Sequence, residues 1–159
     1  MPIAKLREFL DTEHVKYTTM AHSLAYTSQE LANITHISGR ELAKTVIVKI
    51  EGEYAMLVLP ACLHVDFEVL GAALGVGHVR LALEAEFKTK FPDCETGAMP
   101  PFGNLYGMKV YVDESLTKAH DIAFAAGSHR EIVRMEYLDF ARLVRPVVMH
   151  FSAILVASA

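Results

Sequence analysis

A chain of 159 residues, 52% hydrophobic and 21% charged, has the length of one domain and enough apolar content to bury a core without staples. Its net charge of −4 excludes a protein that coats nucleic acid through bulk electrostatics, so any nucleic-acid contact must be local. The two cysteines, Cys62 and Cys94, form no CxxC pair; this argues against a disulfide framework or a zinc cluster and for a reduced, cytoplasmic protein.

Ile3, Leu6, Phe9 and Leu10 recur at three- and four-residue intervals, which predicts an amphipathic helix over residues 2–14. Charges interrupt this segment, so it lacks the continuous apolar run of a signal peptide. VKYTTMAH (15–22) favours a strand through its β-branched and aromatic content. Thr27 with Glu30, and Ser38 with Glu41, have capping-box spacing, so short helices are expected at TSQELA and SGRELA. TVIVKI (45–50) and YAMLVLPA (54–61), joined by a short polar link, read as an antiparallel hairpin.

DFEVLGAALG (66–75) has helical spacing and a terminal glycine; VRLA is a short strand, and LEAEFKTKF returns to helix. MKVYVDESL, HDIAFAAG and EIVRMEYL supply three further strands, and YLDFARLV a last helix. The apolar end, RPVVMHFSAILVASA (145–159), falls short of the roughly 20 apolar residues that span a bilayer, so no membrane association is expected. It is read either as a final packing segment or as a surface that buries itself against another subunit. Helices and strands are mixed, with hairpins in place of regular βαβ alternation. This predicts one compact α+β domain around a mixed, curved, barrel-like sheet flanked by helices.

Between two of these elements lies GAMPPFGNLYG (97–107), with three glycines and two adjacent prolines in eleven residues. Proline fixes φ and removes a donor while glycine admits φ > 0, so the segment is a shaped loop that turns a corner or holds backbone against a ligand.

The common chemical signatures are missing. There is no GxGxxG after a strand, no P-loop, no HExxH and no GxSxG; neither a cofactor nor a metal is expected, and Ser128 has no signal for activation as a nucleophile. Cys62 and Cys94, each alone among apolar neighbours, read as packing groups. Arg80, Lys88, Lys90, Lys109, Arg130, Arg134, Arg142 and Arg145 are candidates for a local basic patch or for ordinary solvated surface.

Lys44 is the sharper candidate, since SGRELAKTVIVK places it where a capped helix is expected to meet the first buried strand. It is either a snorkelling surface lysine or a partly buried ammonium that holds a phosphate or a polar substrate. His22, after a strand, and His129, in the small-residue turn AAGSHRE, are placed to accept a proton or bond a hydroxyl; a surface role without chemistry is the alternative.

SGRELAKTVIVK, VLPA, FPDCETGAMPPFGNLYGMKVYVDESL and IAFAAGSHREIVRM together resemble the YbaK/prolyl-tRNA-synthetase-associated domain, a family of freestanding editing deacylases and synthetase editing insertions. The resemblance covers residues 20–146. It implies hydrolysis of the ester that joins a wrong amino acid to the terminal adenosine of a tRNA. In that comparison Lys44 matches the family's essential lysine. Gly97, Pro100, Pro101, Phe102 and Gly103 match the pocket-shaping loop, and Gly127 with His129 the second glycine turn. Tyr26 and Thr27 fall where pocket-lining residues lie, and Met99, His22 and Ser128 are read as further substrate contacts.

The expected reaction is metal-independent removal of a small amino acid, with alanine on proline tRNA foremost. The acceptor end is the expected partner, assisted by prolyl-tRNA synthetase or an elongation factor. A non-catalytic tRNA- or synthetase-binding module and a small-molecule ester hydrolase are the competing readings.

Overall fold

β-branched runs in the middle of the chain are buried on both faces, and this organises the molecule. In the computed structural model, which describes residues 2–154, β2 (Ala43–Ile50) and β3 (Glu53–Pro60) form the expected hairpin, in register from Ala43 opposite Pro60 to Ile50 opposite Glu53. Alternate residues of β3 enter different cores: Met56 and Val58 join one, Ala55, Leu57 and Leu59 the other. A strand covered on both sides must read as a continuous apolar run, and YAMLVLP does.

β5 (Val79–Leu81) pairs antiparallel with β2, β6 (Lys109–Asp113) pairs parallel with β3, and β9 (Val147–Met149) pairs parallel with β6. The resulting five-stranded mixed sheet has the order β5-β2-β3-β6-β9. A second, antiparallel sheet places β8 (Glu131–Glu136) between β1 (Tyr17–Ala21) and β7 (Asp121–Ala125). One parallel bridge, Leu42 to Ala123, joins the two sheets just ahead of Lys44. β4 (His64–Val65) and β10 (Ser152–Ala153) add a short antiparallel pair. The mixed, curved arrangement is as expected; among the described residues the strands do not close into a barrel.

Helices α1 (Ala4–Thr12), α2 (Ser28–Thr35), α3 (Phe67–Leu74), α4 (Glu84–Phe87) and α5 (Tyr137–Val144) lie around this frame. α1 buries Leu6 and Leu10 completely, and α5 buries Tyr137, Phe140 and Val144. Asp66 caps α3 through Glu68 and Val69 N–H, and Gly75 ends that helix in the left-handed conformation.

Several expectations need correction. SGRELA is a turn and not a helix: Glu41 and Leu42 N–H both donate to the Ser38 carbonyl, and the chain then enters the sheet. Burial of Leu42 and Ala43 overrides the capping-box signal, so Lys44 follows a turn and is the second residue of β2. LEAEFKTKF yields only one helical turn and a short 3₁₀ turn, Lys88–Lys90. The apolar end contributes β9 and β10 to the packing; residues 155–159 lie outside the described residues. Among the described residues no helix is long and apolar enough to cross a membrane.

Candidate active site

Two glycine-bearing loops are laced together by backbone hydrogen bonds. Glu95 N–H donates to the Gly127 carbonyl at 2.8 Å, and Gly127 N–H donates to the Ala98 carbonyl at 2.8 Å. Gly97 and Gly127 adopt φ of 88° and 100°, values that L side chains rarely take, so this lacing requires glycine at both. His129 adds two more ties: its backbone N–H donates to a Glu95 carboxylate oxygen at 3.0 Å, and its ring Nε2–H donates to the Thr96 carbonyl at 2.8 Å. With 11% of its side chain exposed, His129 is largely enclosed, and the Tyr26 ring lies against it with centroids 4.9 Å apart.

Lys44 reaches the same region from β2. Its Nζ donates to the Ala61 carbonyl at 3.5 Å and, among the described residues, forms no ion pair. Burial holds the ammonium below the usual lysine range, with the neighbouring Cys62 sulfur pulling the other way. A desolvated cation with one long hydrogen bond has unused capacity for an anionic or carbonyl partner.

These groups enclose a cavity of about 60 Å³. Lys44, Gly97, His129, Tyr26, Thr27, Met99 and Ser128 all line it. Room for a few waters is also room for a side chain of one or two carbons. Lys44 and Thr27 also line a second, wider cavity of about 540 Å³, so the lysine stands between two compartments.

The other expected contacts lie elsewhere. Phe102 is fully buried in the core, its ring packed 5.5 Å from Phe124 and 5.4 Å from Phe140. Pro100 and Pro101 are buried, and Gly103 packs so closely on Val110 and Met108 that a Cβ would fall 2.7 Å from Val110 Cγ2. The half of the loop from 100 to 103 thus anchors it, while Gly97 and Met99 face the cavity. Gly127 does not line the cavity: a Cβ there would meet Ile3, and its backbone braces the wall through Glu95 and Ala98. His22 is outside the cavity; its N–H donates to the Arg130 carbonyl and its Nδ1–H to the Ser23 carbonyl.

Sequence reasoning missed Thr45, Ala25 and Ala125 on the wall, and the bracing carboxylate of Glu95. Thr45 adjoins Lys44 on a recognised strand and was open to inference; small alanines and a glutamate 34 residues from its partner carry no local signal. Among the described residues Gly97 N–H donates to the Met99 thioether, at 3.2 Å, and sulfur is a weak acceptor, so this donor is only loosely committed. One group of described residues, His120, Asp121 and Glu136, is close enough to share a metal ion. It contributes nothing to this cavity, and Arg134 Nε already lies 3.6 Å from Asp121.

The fold has several solved relatives. The crystal structure of hypothetical protein APE2540 superposes with a TM-score of 0.84 at 20% identity, covering 94% of this chain and 99% of that one. A proposed trans-editing enzyme for prolyl-tRNA synthetase gives a TM-score of 0.79 at 20% identity, with 94% and 95% covered. A proposed signal transduction protein from Marinobacter aquaeolei VT8 gives 0.70 at 18% identity, with 94% of this chain matched to 30% of that longer one. At these identities the likeness establishes the fold. The sequence itself matches the model of the aminoacyl-tRNA editing domain over residues 22–143, and with Lys44 and both glycine turns inside that span, the chain belongs to the aminoacyl-tRNA editing domain family.

Proposed function

We propose that the protein is a trans-acting deacylase that removes a small, non-cognate amino acid from the terminal adenosine of tRNA, with alanine on proline tRNA the leading substrate. The observation that carries this reading is the Lys44 ammonium, half-buried and without an ion-pair partner among the described residues, at a cavity of about 60 Å³ walled by the two laced glycine turns. The cavity takes the aminoacyl side chain. Lys44 holds a phosphate or ribose oxygen of the terminal nucleotide, and the expected contacts at Tyr26, Thr27, Met99 and Ser128 shape the acyl site.

An aminoacyl ester is activated already, so the protein's work is to place water and to stabilise charge on the carbonyl oxygen. Water oxygen bonds to the ester carbon, and Gly97 N–H turns from the Met99 sulfur to the developing oxyanion. The tetrahedral centre collapses, the bond from carbon to ribose oxygen breaks, and the vicinal ribose hydroxyl relays a proton from the water to the departing oxygen. Free amino acid and a tRNA with intact hydroxyls result. His129 is a positioning residue here, since its ring nitrogen is committed to the Thr96 carbonyl.

A panel of mischarged tRNAs incubated with micromolar protein tests reaction and substrate together. Release of alanine from proline tRNA ahead of larger amino acids is expected. No turnover of any aminoacyl ester by folded protein would sink the catalytic reading, and binding that weakens with salt but brings no hydrolysis would leave a tRNA-binding module.

A further inference from the structure

We infer that the free edge of β1 is a docking groove for an extended, acidic peptide segment of another protein, which adds to the three-stranded sheet as a fourth strand. The groove shares no lining residue with the Lys44 cavity and does not depend on the deacylase reading. Strand pairing fixes which backbone groups are available there. In an antiparallel ladder, opposed residues alternately exchange hydrogen bonds and leave them out. His22 N–H donates to the Arg130 carbonyl at 2.8 Å and Ala126 N–H to the Glu131 carbonyl at 3.3 Å, so Arg130 is turned toward β1 and Glu131 toward β7. In this register Thr18 and Met20 bond to β8, and the N–H and carbonyl groups of Tyr17, Thr19 and Ala21 point outward. Among the described residues these outward groups have no partner.

The other sheet edges are shorter or covered. β5 and β9 have three residues each, and β7 is bridged at Ala123 by Leu42. β1 has five, in unbroken register and without the proline, bulge or charge that keeps an edge from pairing. A cavity of about 730 Å³ runs along this edge, with Tyr17, Thr19 and Ala21 on one side and Pro2, Arg7 and Asp11 on the other. Residues 17, 19 and 21 share one face of the strand, and Arg7 and Asp11, four apart, share one face of α1. A helix beside a bare strand edge is the geometry that receives an added strand, which backbone hydrogen bonds hold and alternate side chains select.

Charge selects the occupant. Asp11 accepts from the Tyr17 hydroxyl at 2.9 Å, and Glu131, also on the lining, is engaged within the molecule. Arg7 and Lys16 line the groove and, among the described residues, form no ion pair. The uncommitted charge is therefore positive, and a strand with Glu or Asp at alternate positions complements it. Because α1 flanks the edge, a lone strand fits where a second folded copy would meet the helix.

The experiment titrates isotope-labelled full-length protein with two capped peptides, Glu-Val-Thr-Val-Glu and Lys-Val-Thr-Val-Lys, and follows backbone amides by NMR. The acidic peptide should bind saturably, shift the β1 resonances and slow solvent exchange at Thr19 and Ala21 N–H; the basic one should bind far more weakly. Thr19→Pro deletes an outward donor that β8 does not use, so it should abolish binding while the β8 amides keep their positions. Arg7→Gln with Lys16→Gln should weaken the acidic peptide by about tenfold at low salt and leave the basic one no worse. If Thr19→Pro does not fold, N-methylation of alternate peptide residues removes the same hydrogen bonds from the other side, and affinity retained after it would overturn strand addition. No saturable binding at millimolar peptide, or shifts at Lys44 and none at β1, would overturn the site. Equal affinity for the two peptides would overturn the acidic partner. A concentration-dependent dimer with Thr19 and Ala21 amides already protected would assign the edge to a second copy and overturn the peptide.

Discussion

The ring Nε2 of His129 lies 2.8 Å from the carbonyl oxygen of Thr96 and ties together two loops that are 33 residues apart in the chain. The same residue's backbone N–H is held by Glu95. His129→Ala should therefore lower stability by about 1–2 kcal/mol, the cost of losing one enclosed hydrogen bond and its packing on Tyr26. It should also lower the deacylation rate by displacing Gly97. Urea unfolding alongside single-turnover kinetics checks this. If His129 acts through position alone, His129→Gln, which can donate to the same carbonyl, should recover most of the rate.

Lys44 should behave in the opposite way. Its pKa is lowered mainly by burial, so the folded state binds this proton more weakly than the unfolded state. The group is then a penalty at neutral pH, and stability rises as pH passes upward through the window between the folded and unfolded values. Lys44→Met, similar in length and uncharged, should not lower the melting temperature, yet should cost about a hundredfold or more in deacylation. For the wild-type protein, deacylation corrected for spontaneous hydrolysis should begin to fall on the alkaline side below 10.5, the ordinary lysine value.

What the sequence disclosed follows the range of the interactions. The capping box at Thr27 is local, and Glu30 N–H does donate to Thr27 Oγ1 at 3.0 Å, while the Glu30 carboxylate reaches back to Tyr26 N–H. The matching signal at Ser38 gave no helix because Leu42 bridges to Ala123, 81 positions away, and pairing with β7 decides the conformation. Lys44, Gly97 and His129 could be singled out because a lysine at a strand entrance and glycines beside turns are odd in themselves. Which residues of GAMPPFG face the cavity was beyond local reading: Phe102 is drawn into the core by Phe124 and Phe140, and that choice depends on three distant segments meeting.

Asp113 shows how the apolar C-terminal segment is fixed. The carboxylate is fully buried and accepts from Phe151 N–H at 2.9 Å, Ser152 N–H at 3.0 Å and Ser152 Oγ–H at 2.8 Å, with Ser115 donating from both its N–H and its hydroxyl. Burial alone would raise its pKa; the hydrogen bonds outweigh that and hold it below the ordinary 3.8. A folded value below the unfolded one gives stability that is complete above the unfolded pKa and lost as pH falls through the folded one. Acid should therefore loosen residues 147–153, beginning below 3.8, as increased amide exchange would show. Asp113→Asn points donors at donors and Asp113→Ala leaves buried N–H groups unpaired, each costing about 1–3 kcal/mol. Both variants should be markedly less stable at pH 7.

Gly127 tests whether the N-terminal segment supports the site. Its φ is 100°, and a Cβ would come within 2.2 Å of Ile3 Cγ2; Ile3 N–H in turn donates to the Ala126 carbonyl at 3.1 Å. Gly127→Ala combines backbone strain of roughly 1–3 kcal/mol with a clash that only movement of residue 3 can relieve. It should destabilise the fold and shift the cavity wall through the Glu95 and Ala98 hydrogen bonds. Ile3→Ala in the same chain removes the atoms that clash and leaves the strain. Gly127→Ala should thus cost less in the Ile3→Ala background than in the wild type, while still costing the strain. A thermodynamic cycle on the four proteins measures the coupling; strict additivity would show that Ile3 and the glycine turn do not meet.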